Sequence, residues 1–255
     1  MINLIKNFFS GIKFIGKYDY WKDAKNNSIG YDNDVFLNKL KSQVLKVIDG
    51  EFAYERDTVL FKDKLFSPNF LYTLLLLNDY ECKHPHVLDF GGSLASKYLQ
   101  HKDLFNGLKY KWCIIEQNKI VQIGNEIFKN NQVKFFTSID QSINFLKPNI
   151  LLLNSVIQYI EKPIELIKSL LEHKPKIILI ERTFYSKKSS YISIQKISSK
   201  IYKSSYPCWI FNKKDIIELL EKYDYKLKFI SKSPIDKFPD EIKSIDMIFT
   251  INQNV

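Results

Sequence analysis

The residues with the clearest capacity for chemistry are Val87-Leu88-Asp89-Phe90-Gly91-Gly92-Ser93-Leu94-Ala95-Ser96. A short apolar run ends in an acid and passes through a glycine pair and small residues into a helical pattern. A strand-to-helix turn of this kind takes glycine where the backbone needs positive φ or must approach a ligand closely. The helix that follows offers unpaired N–H groups and a positive dipole end. Twenty-seven positions after Asp89, the apolar run Trp112-Cys113-Ile114-Ile115 ends in Glu116 and Gln117. In nucleoside-binding βαβ folds an acid at the end of the second strand holds ribose hydroxyls. The two strand ends together point to a nucleoside-type ligand.

Three further strand ends carry polar residues. Phe136-Thr137-Ser138-Ile139-Asp140 falls where a purine would be flanked, with a hydroxyl or N–H on its edge and Ile139 on its face. The same residues also fit an ordinary strand-to-helix turn with Ser138 as the cap. Asn154, Ser155, Gln158 and Tyr159 follow a fourth apolar run, and Glu181 and Arg182 follow a fifth. Polar groups at the carboxyl ends of central strands lie at the crevice where open α/β sheets bind ligands. The chain has two arginines, Arg56 and Arg182, each preceded by a glutamate, against an abundance of lysine. Lysine supplies generic charge, so arginine is expected where a planar, bidentate fork is needed, or in a buried ion pair. Glu181, Asp57 and Glu55 are the carboxylates available as a general base, with His101 and Tyr159 as weaker candidates.

The elements that must position these residues follow from periodicity. Strands are expected at 86–90, 111–116, 133–136, 149–153, 176–181, 226–231 and 245–251. Helices are expected near 94–104, 118–129, 139–146, 161–173 and 213–223. Alternation of strand and helix means a parallel sheet covered on both faces, and the last two strands, joined without a helix, form an antiparallel hairpin. Residues 1–80 read as a mostly helical extension with loops. Residues 1–16 form a weakly basic amphipathic helix that docks on its own domain or touches a membrane surface. Phe36, Leu40, Val44 and Ile48 recur every four residues, and Ser67-Pro68 caps another helix. Tyr54-Glu55-Arg56-Asp57 is too polar for a core. Residues 183–210, rich in Ser, Lys and Tyr, read as a long insertion and substrate lid.

The bulk composition sets limits. With 255 residues and 45% hydrophobic content the chain can bury a full core. Three scattered cysteines without a CxxC exclude a disulfide framework and fit a cytoplasmic protein. No ligand cluster suggests a metal, and no membrane-spanning run or signal-peptide pattern is present. The net charge of +10 comes from dispersed lysines, and no nucleic-acid-binding signature accompanies it, so no nucleic-acid partner is expected.

As a dinucleotide fingerprint the turn gives Gly91-x-Ser93-x-x-Ser96, which lacks two of three glycines. Five parallel strands with a terminal hairpin, a seven-stranded mostly parallel Rossmann-like sheet, is instead the pattern of class I S-adenosylmethionine methyltransferases. The segments VLDFGGSLASKY, WCIIEQ, FFTSI, LLLNSVIQYIEKP, IERTF and IYKSSYPCWIF, with Tyr31 and the YERD stretch upstream, resemble a family of S-adenosylmethionine-dependent methyltransferases encoded in bacterial capsule and O-antigen loci. The likeness spans residues 18–250. It implies a methyltransferase domain over 81–255 and S-adenosylmethionine as cofactor. It also implies an acceptor among sugars, nucleotide-activated glycan precursors and phosphate or phosphoramidate groups. On this reading Asp89, Gly91, Gly92 and Ser93 shape the methionine pocket and Glu116 with Gln117 holds the ribose. Thr137, Ser138 and Ile139 border the adenine, and Asn154 and Ser155 complete the cofactor site. Arg182, Glu181, Gln158, Tyr159 and Tyr206 position the acceptor, with Arg56 and Asp57 contributed from the N-terminal extension. The family pattern has glycine where this chain has Ala95. A non-catalytic relative that binds a glycan precursor or a partner protein is the alternative.

Overall fold

The computed structural model describes residues 12–30, 33–197, 204–233 and 241–252. The N-terminal part contains β1 (Lys13–Tyr18), α1 (Trp21–Asn26), α2 (Asn33–Ile48), β2 (Tyr54–Arg56), β3 (Val59–Phe61) and α3 (Pro68–Leu76). Then follow β4 (His86–Phe90), α4 (Ser96–His101), β5 (Lys111–Ile115), α5 (Asn118–Ile127), β6 (Val133–Phe136), α6 (Ile139–Phe145), β7 (Ile150–Asn154) and α7 (Pro163–Leu171). The chain closes with β8 (Ile177–Ser186), β9 (Tyr191–Ile197), β10 (Ser204–Asn212), α8 (Lys213–Glu221), β11 (Tyr225–Lys232) and β12 (Ile242–Ile251). The seven strands expected from the apolar runs are β4 to β8, β11 and β12. No helix among the described residues is long and apolar enough to cross a membrane.

The chain divides into two compact units, both discontinuous in sequence. One comprises Asp32–Asn154 and Leu170–Leu179. Its parallel strands run in the order β7, β4, β5, β6, with Val87 opposite both Ile150 and Trp112 and Trp112 opposite Val133. These strands are continuous apolar runs because both faces are covered: Val87, Leu88, Trp112, Ile114 and Ile150 to Leu153 are all buried. Trp112 lies 5.6 Å from the rings of both Phe70 and Tyr98 and 5.9 Å from that of Phe105, so α3 and α4 close on β5 through aromatic edges. On α5, a Cβ at Gly124 would stand 2.6 Å from the ring of Phe135 on β6, so the glycine permits this helix to pack onto its strand. The expected cap of α3 is present, with the Ser67 hydroxyl accepting from Phe70 N.

The other unit comprises Met1–Tyr31, Ser155–Ser169 and Ile180–Val255. β1, β9 and β10 form an antiparallel meander. β10 runs parallel to the end of β8, with Phe211 opposite Tyr185. β11 and β12 form the expected antiparallel hairpin, and β12 also pairs with β8.

Several expectations are corrected. Residues 183–210 are the end of β8, then β9 and β10, with 198–203 outside the described residues. Serine content made the segment look like a loop, but two of its serines bond backbone groups of other segments. Ser193 Oγ donates to Gly16 O at 2.9 Å, and Ser205 Oγ accepts from Ile29 N at 3.0 Å. Ile192, Ile194 and Ile197 of β9 are β-branched and Tyr206, Trp209 and Phe211 of β10 aromatic, types suited to a half-buried pleat. Residues 13–16, the end of the helix expected over 1–16, belong to β1, where Phe14 packs 5.1 Å from the ring of Phe184 between exposed Lys13 and Ile15. Residues 1–11, Tyr31 and 234–240 lie outside the described residues. Tyr54-Glu55-Arg56-Asp57, read as too polar for a core, opens the β2–β3 hairpin, in which Tyr54 stacks on Phe61 with ring centroids 4.5 Å apart.

Candidate functional site

In the first unit β4 delivers Asp89 to the start of the glycine turn. Asp89 is buried, and its Oδ2 accepts from Trp112 Nε1 at 3.2 Å. Gly91, Ser93 and Ala95 take φ of 71°, 55° and 60°, so every second residue of the turn is left-handed. Gly91 N donates to Ile115 O at 2.9 Å, which joins the turn to the end of β5. Gly92 has no positive φ; it is required because a Cβ there would stand 2.5 Å from Asp89 Cγ and Oδ2.

Glu116 closes the arrangement. Its Oε1 accepts from Ser93 N at 3.1 Å and its Oε2 from Gln117 N at 2.9 Å. Burial pushes the carboxyl above its ordinary pKa, while the two backbone N–H groups act in the opposite sense. Each carboxylate oxygen keeps a second lone pair, so Glu116 can still accept from two vicinal hydroxyls.

Left-handed geometry costs an L-residue about 1–2 kcal/mol. Ala95 recovers part of this through a fully buried methyl, whereas Ser93 is only half-buried. Ser93→Gly is therefore expected to stabilise the fold by roughly 0.5–1 kcal/mol, allowing for the looser unfolded chain. That corresponds to a Tm about 2 °C higher in thermal melting, and an unchanged or lower Tm would show that Ser93 is unstrained.

After β6, the Ser138 hydroxyl accepts from Gln141 N at 3.3 Å, while Thr137 N and Oγ1 both donate to Gln141 Oε1. This is a capping box displaced by one residue, so the cap role foreseen for Ser138 is occupied. Ile139 is half-buried beside it. Asn154, at the end of β7, has a buried Oδ1 without a hydrogen-bond partner among the described residues.

The β2–β3 hairpin places Glu55, Arg56 and Asp57. Glu55 is 1% exposed, although its sequence neighbourhood looked too polar for a core. Its Oε1 accepts from Thr58 N and its Oε2 from Ser96 Oγ, both at 2.6 Å. Burial pushes its pKa up to about 7 against these hydrogen bonds. Arg56 Nη2 donates to Gln100 Oε1 at 3.3 Å, and its guanidinium lies 5.7 Å from the centre of the Tyr54 ring. Asp57 is exposed in the two-residue turn, where it and Thr58 take φ of 51° and 64°. His101 is withdrawn from acid–base work: Nε2 accepts from Ser67 N, Nδ1 donates to Lys97 O, and burial lowers its pKa to about 3.

In the second unit the ends of two segments carry the other polar group. Ser155 and Arg182 both take φ of 54°, and Ser155 N donates to Glu181 O at 2.8 Å. Gln158 is fully buried; its Nε2 donates to Arg182 O at 3.0 Å and Ser155 Oγ at 3.3 Å. The Arg182 carbonyl thereby fixes the orientation of the amide, and Gln158 Oε1 is a buried acceptor without a partner among the described residues. Tyr159 donates its hydroxyl to Gln195 Oε1 at 2.8 Å and meets Tyr206 edge-on at 5.2 Å. Glu181 is buried as well. The structure thus brings Ser155, Gln158, Glu181 and Arg182 into one hydrogen-bonded group, with Tyr159 and Tyr206 as an aromatic pair.

Two residues of this group escaped the sequence reading. Asp246 Oδ1 accepts from Arg182 N at 2.8 Å and also from the Ser233 hydroxyl, and Gln195 orients Tyr159. An acid in the middle of the apolar run Ile245-Asp246-Met247-Ile248 was the available signal for the first; nothing local marks the second.

These units build the fold of S-adenosylmethionine-dependent methyltransferases. No protein-family model matches the sequence, and no curated protein is significantly similar to it. Among solved structures, the N-terminal domain of EvdMO1, determined in the presence of S-adenosylhomocysteine and D-fucose, superposes with a TM-score of 0.52 at 10% identity, over 88% of this chain and 98% of that one. A methyltransferase from Clostridium acetobutylicum gives 0.50 at 11% identity over 85% and 99%. One from Methanosarcina mazei gives 0.50 at 10% identity over 69% and 96%. At these identities the likeness speaks to the fold.

Proposed function

We propose that the chain is an S-adenosylmethionine-dependent O-methyltransferase acting on a sugar or nucleotide-activated sugar precursor in surface-polysaccharide assembly. The observation that carries the cofactor assignment is Glu116, whose two oxygens are each held by one backbone N–H and each keep a lone pair for a vicinal diol. The turn beside it lacks a side chain at Gly92 and offers no three-glycine cradle for a pyrophosphate, which suits a nucleoside without phosphates. Asp89, Gly91, Gly92 and Ser93 would border the methionine part, Glu116 and Gln117 the ribose, and Thr137, Ser138 and Ile139 the adenine. Asn154 and Ser155 would complete that site. When bound, the cofactor supplies an electrophilic methyl group on a sulfonium.

The work left to the chain is orientation and proton removal. Arg182, with its backbone held by Asp246 and Gln158, is suited to grip an oxygen-rich acceptor. Tyr159 and Tyr206 offer an aromatic edge for a sugar ring. Glu181, buried at the end of its apolar run, is the carboxylate assigned to take the hydroxyl proton. The sugar class is supported by the sequence resemblance and by a structural neighbour determined with D-fucose.

Isothermal titration with S-adenosylmethionine and S-adenosylhomocysteine tests the reading. Micromolar binding of either is expected. A folded protein that binds neither would overturn the assignment in favour of the non-catalytic alternative.

A further inference from the structure

The β2–β3 hairpin is bonded to a single helix by two successive residues. Glu55 takes the hydroxyl of Ser96 at 2.6 Å, and Arg56 reaches Gln100 at 3.3 Å. Ser96 and Gln100 are four residues apart and so share one face of α4. Gln100 is fixed in turn by donating Nε2 to Leu65 O at 2.6 Å. Ser96 is the first residue of α4 and directly follows Ala95, the last left-handed residue of the glycine turn.

Two strained residues in one short turn persist only where the surroundings over-determine them. On one side Glu116 holds Ser93 N; on the other the hairpin holds Ser96. A carboxyl buried at 1% exposure is costly, and an apolar side chain of similar volume would often serve stability as well or better. Retention of an acid in this position calls for a task.

We propose that the hairpin is a clamp on the turn. Glu55, acting through Ser96, is a positioning residue that keeps Ser93 and Ala95 in their left-handed geometry and so preforms the cofactor site. The cofactor part of this inference rests on the function proposed above; the clamp itself does not.

Amide hydrogen exchange on the full chain without ligand reads the clamp directly. Ser93 N is bonded to Glu116 and Leu99 N to Ala95 O, while Val121 N, bonded to Gln117 O on α5, serves as an internal reference. Ser96→Ala and Glu55→Ala are expected to speed exchange at Ser93 and Leu99 at least tenfold and to leave Val121 unchanged. Glu55→Gln keeps an acceptor for Thr58 N and a donor for Ser96 Oγ, so it should restore both amides to within about twofold of the wild type. S-adenosylhomocysteine affinity should follow the same order, at least tenfold weaker in the two alanine variants. Ser96→Ala removes a single hydroxyl and keeps the test open if Glu55→Ala does not fold. Unchanged protection at Ser93 and Leu99, or equal acceleration at Val121, would overturn the clamp. If the wild type binds no S-adenosylhomocysteine, the functional reading fails and the exchange pattern still decides the clamp.

Discussion

Gly92→Ala lowers the Tm by about 4–8 °C and weakens S-adenosylhomocysteine binding at least a hundredfold. The added methyl would sit 2.5 Å from the Asp89 carboxyl, inside any real contact distance. Asp89 cannot swing away, because it is buried and its Oδ2 is held by the indole N–H of Trp112, itself in the middle of β5. The clash must therefore move the turn. Overpacking of this kind costs about 1–3 kcal/mol, and the middle of that range, at about 2–4 °C per kcal/mol for a chain of this size, gives the stated Tm change. Displacing the turn also disturbs Ser93 N, the group that orients Glu116. Calorimetry and titration on one preparation check both parts. A variant with wild-type Tm and affinity would show that Asp89 and the turn relax freely, contrary to this account.

Glu55→Gln makes the protein more stable at pH 8 and nearly neutral in effect at pH 4.5. The folded carboxyl has a pKa of about 7, raised from 4.5 chiefly by burial. Between those values the folded state binds a proton that the unfolded state has lost, so stability falls as pH rises through the window and levels off above it. The full swing is on the order of 3 kcal/mol. The introduced amide stands in for the protonated acid, with one donor and one acceptor in the same places, so the variant escapes the decline. Melting curves from pH 4.5 to 8 should show the wild type losing several degrees relative to the variant as pH rises. Parallel curves would place the ionisation of Glu55 outside this window.

The fold was legible wherever a strand was buried on both faces. Val87-Leu88, Trp112 to Ile115 and Ile150 to Leu153 are apolar runs too short for helices, and each became the strand expected. The ends of those strands were legible for the same reason, since Asp89 and Glu116 mark the points where the apolar runs stop. The β9–β10 meander was hidden because Ser193 and Ser205 satisfy their hydroxyls on chain segments about 175 residues away in sequence, at Gly16 and Ile29. The β2–β3 hairpin was hidden because Asp57-Thr58 replaces the Asn-Gly that usually signals its turn. The left-handed backbones of Ser155 and Arg182 leave no trace in residue type. The support of Arg182 by Asp246 spans 64 positions, and its one trace is an acid inside an apolar run.

The rim strand β1 bears on how the molecule behaves in a crowd. Among the described residues it pairs with β9 and with no second strand. An open backbone edge is a template on which another chain can stack and start an aggregate. Here the ladder loses register between Ile15 and Tyr18, Gly16 turns to a φ of 72°, and the side chains of Lys13 and Lys17 stand in solvent. An incoming strand would meet a break in hydrogen-bond spacing and two positive charges. The border of the sheet is thereby closed to its own kind by its geometry and its charge.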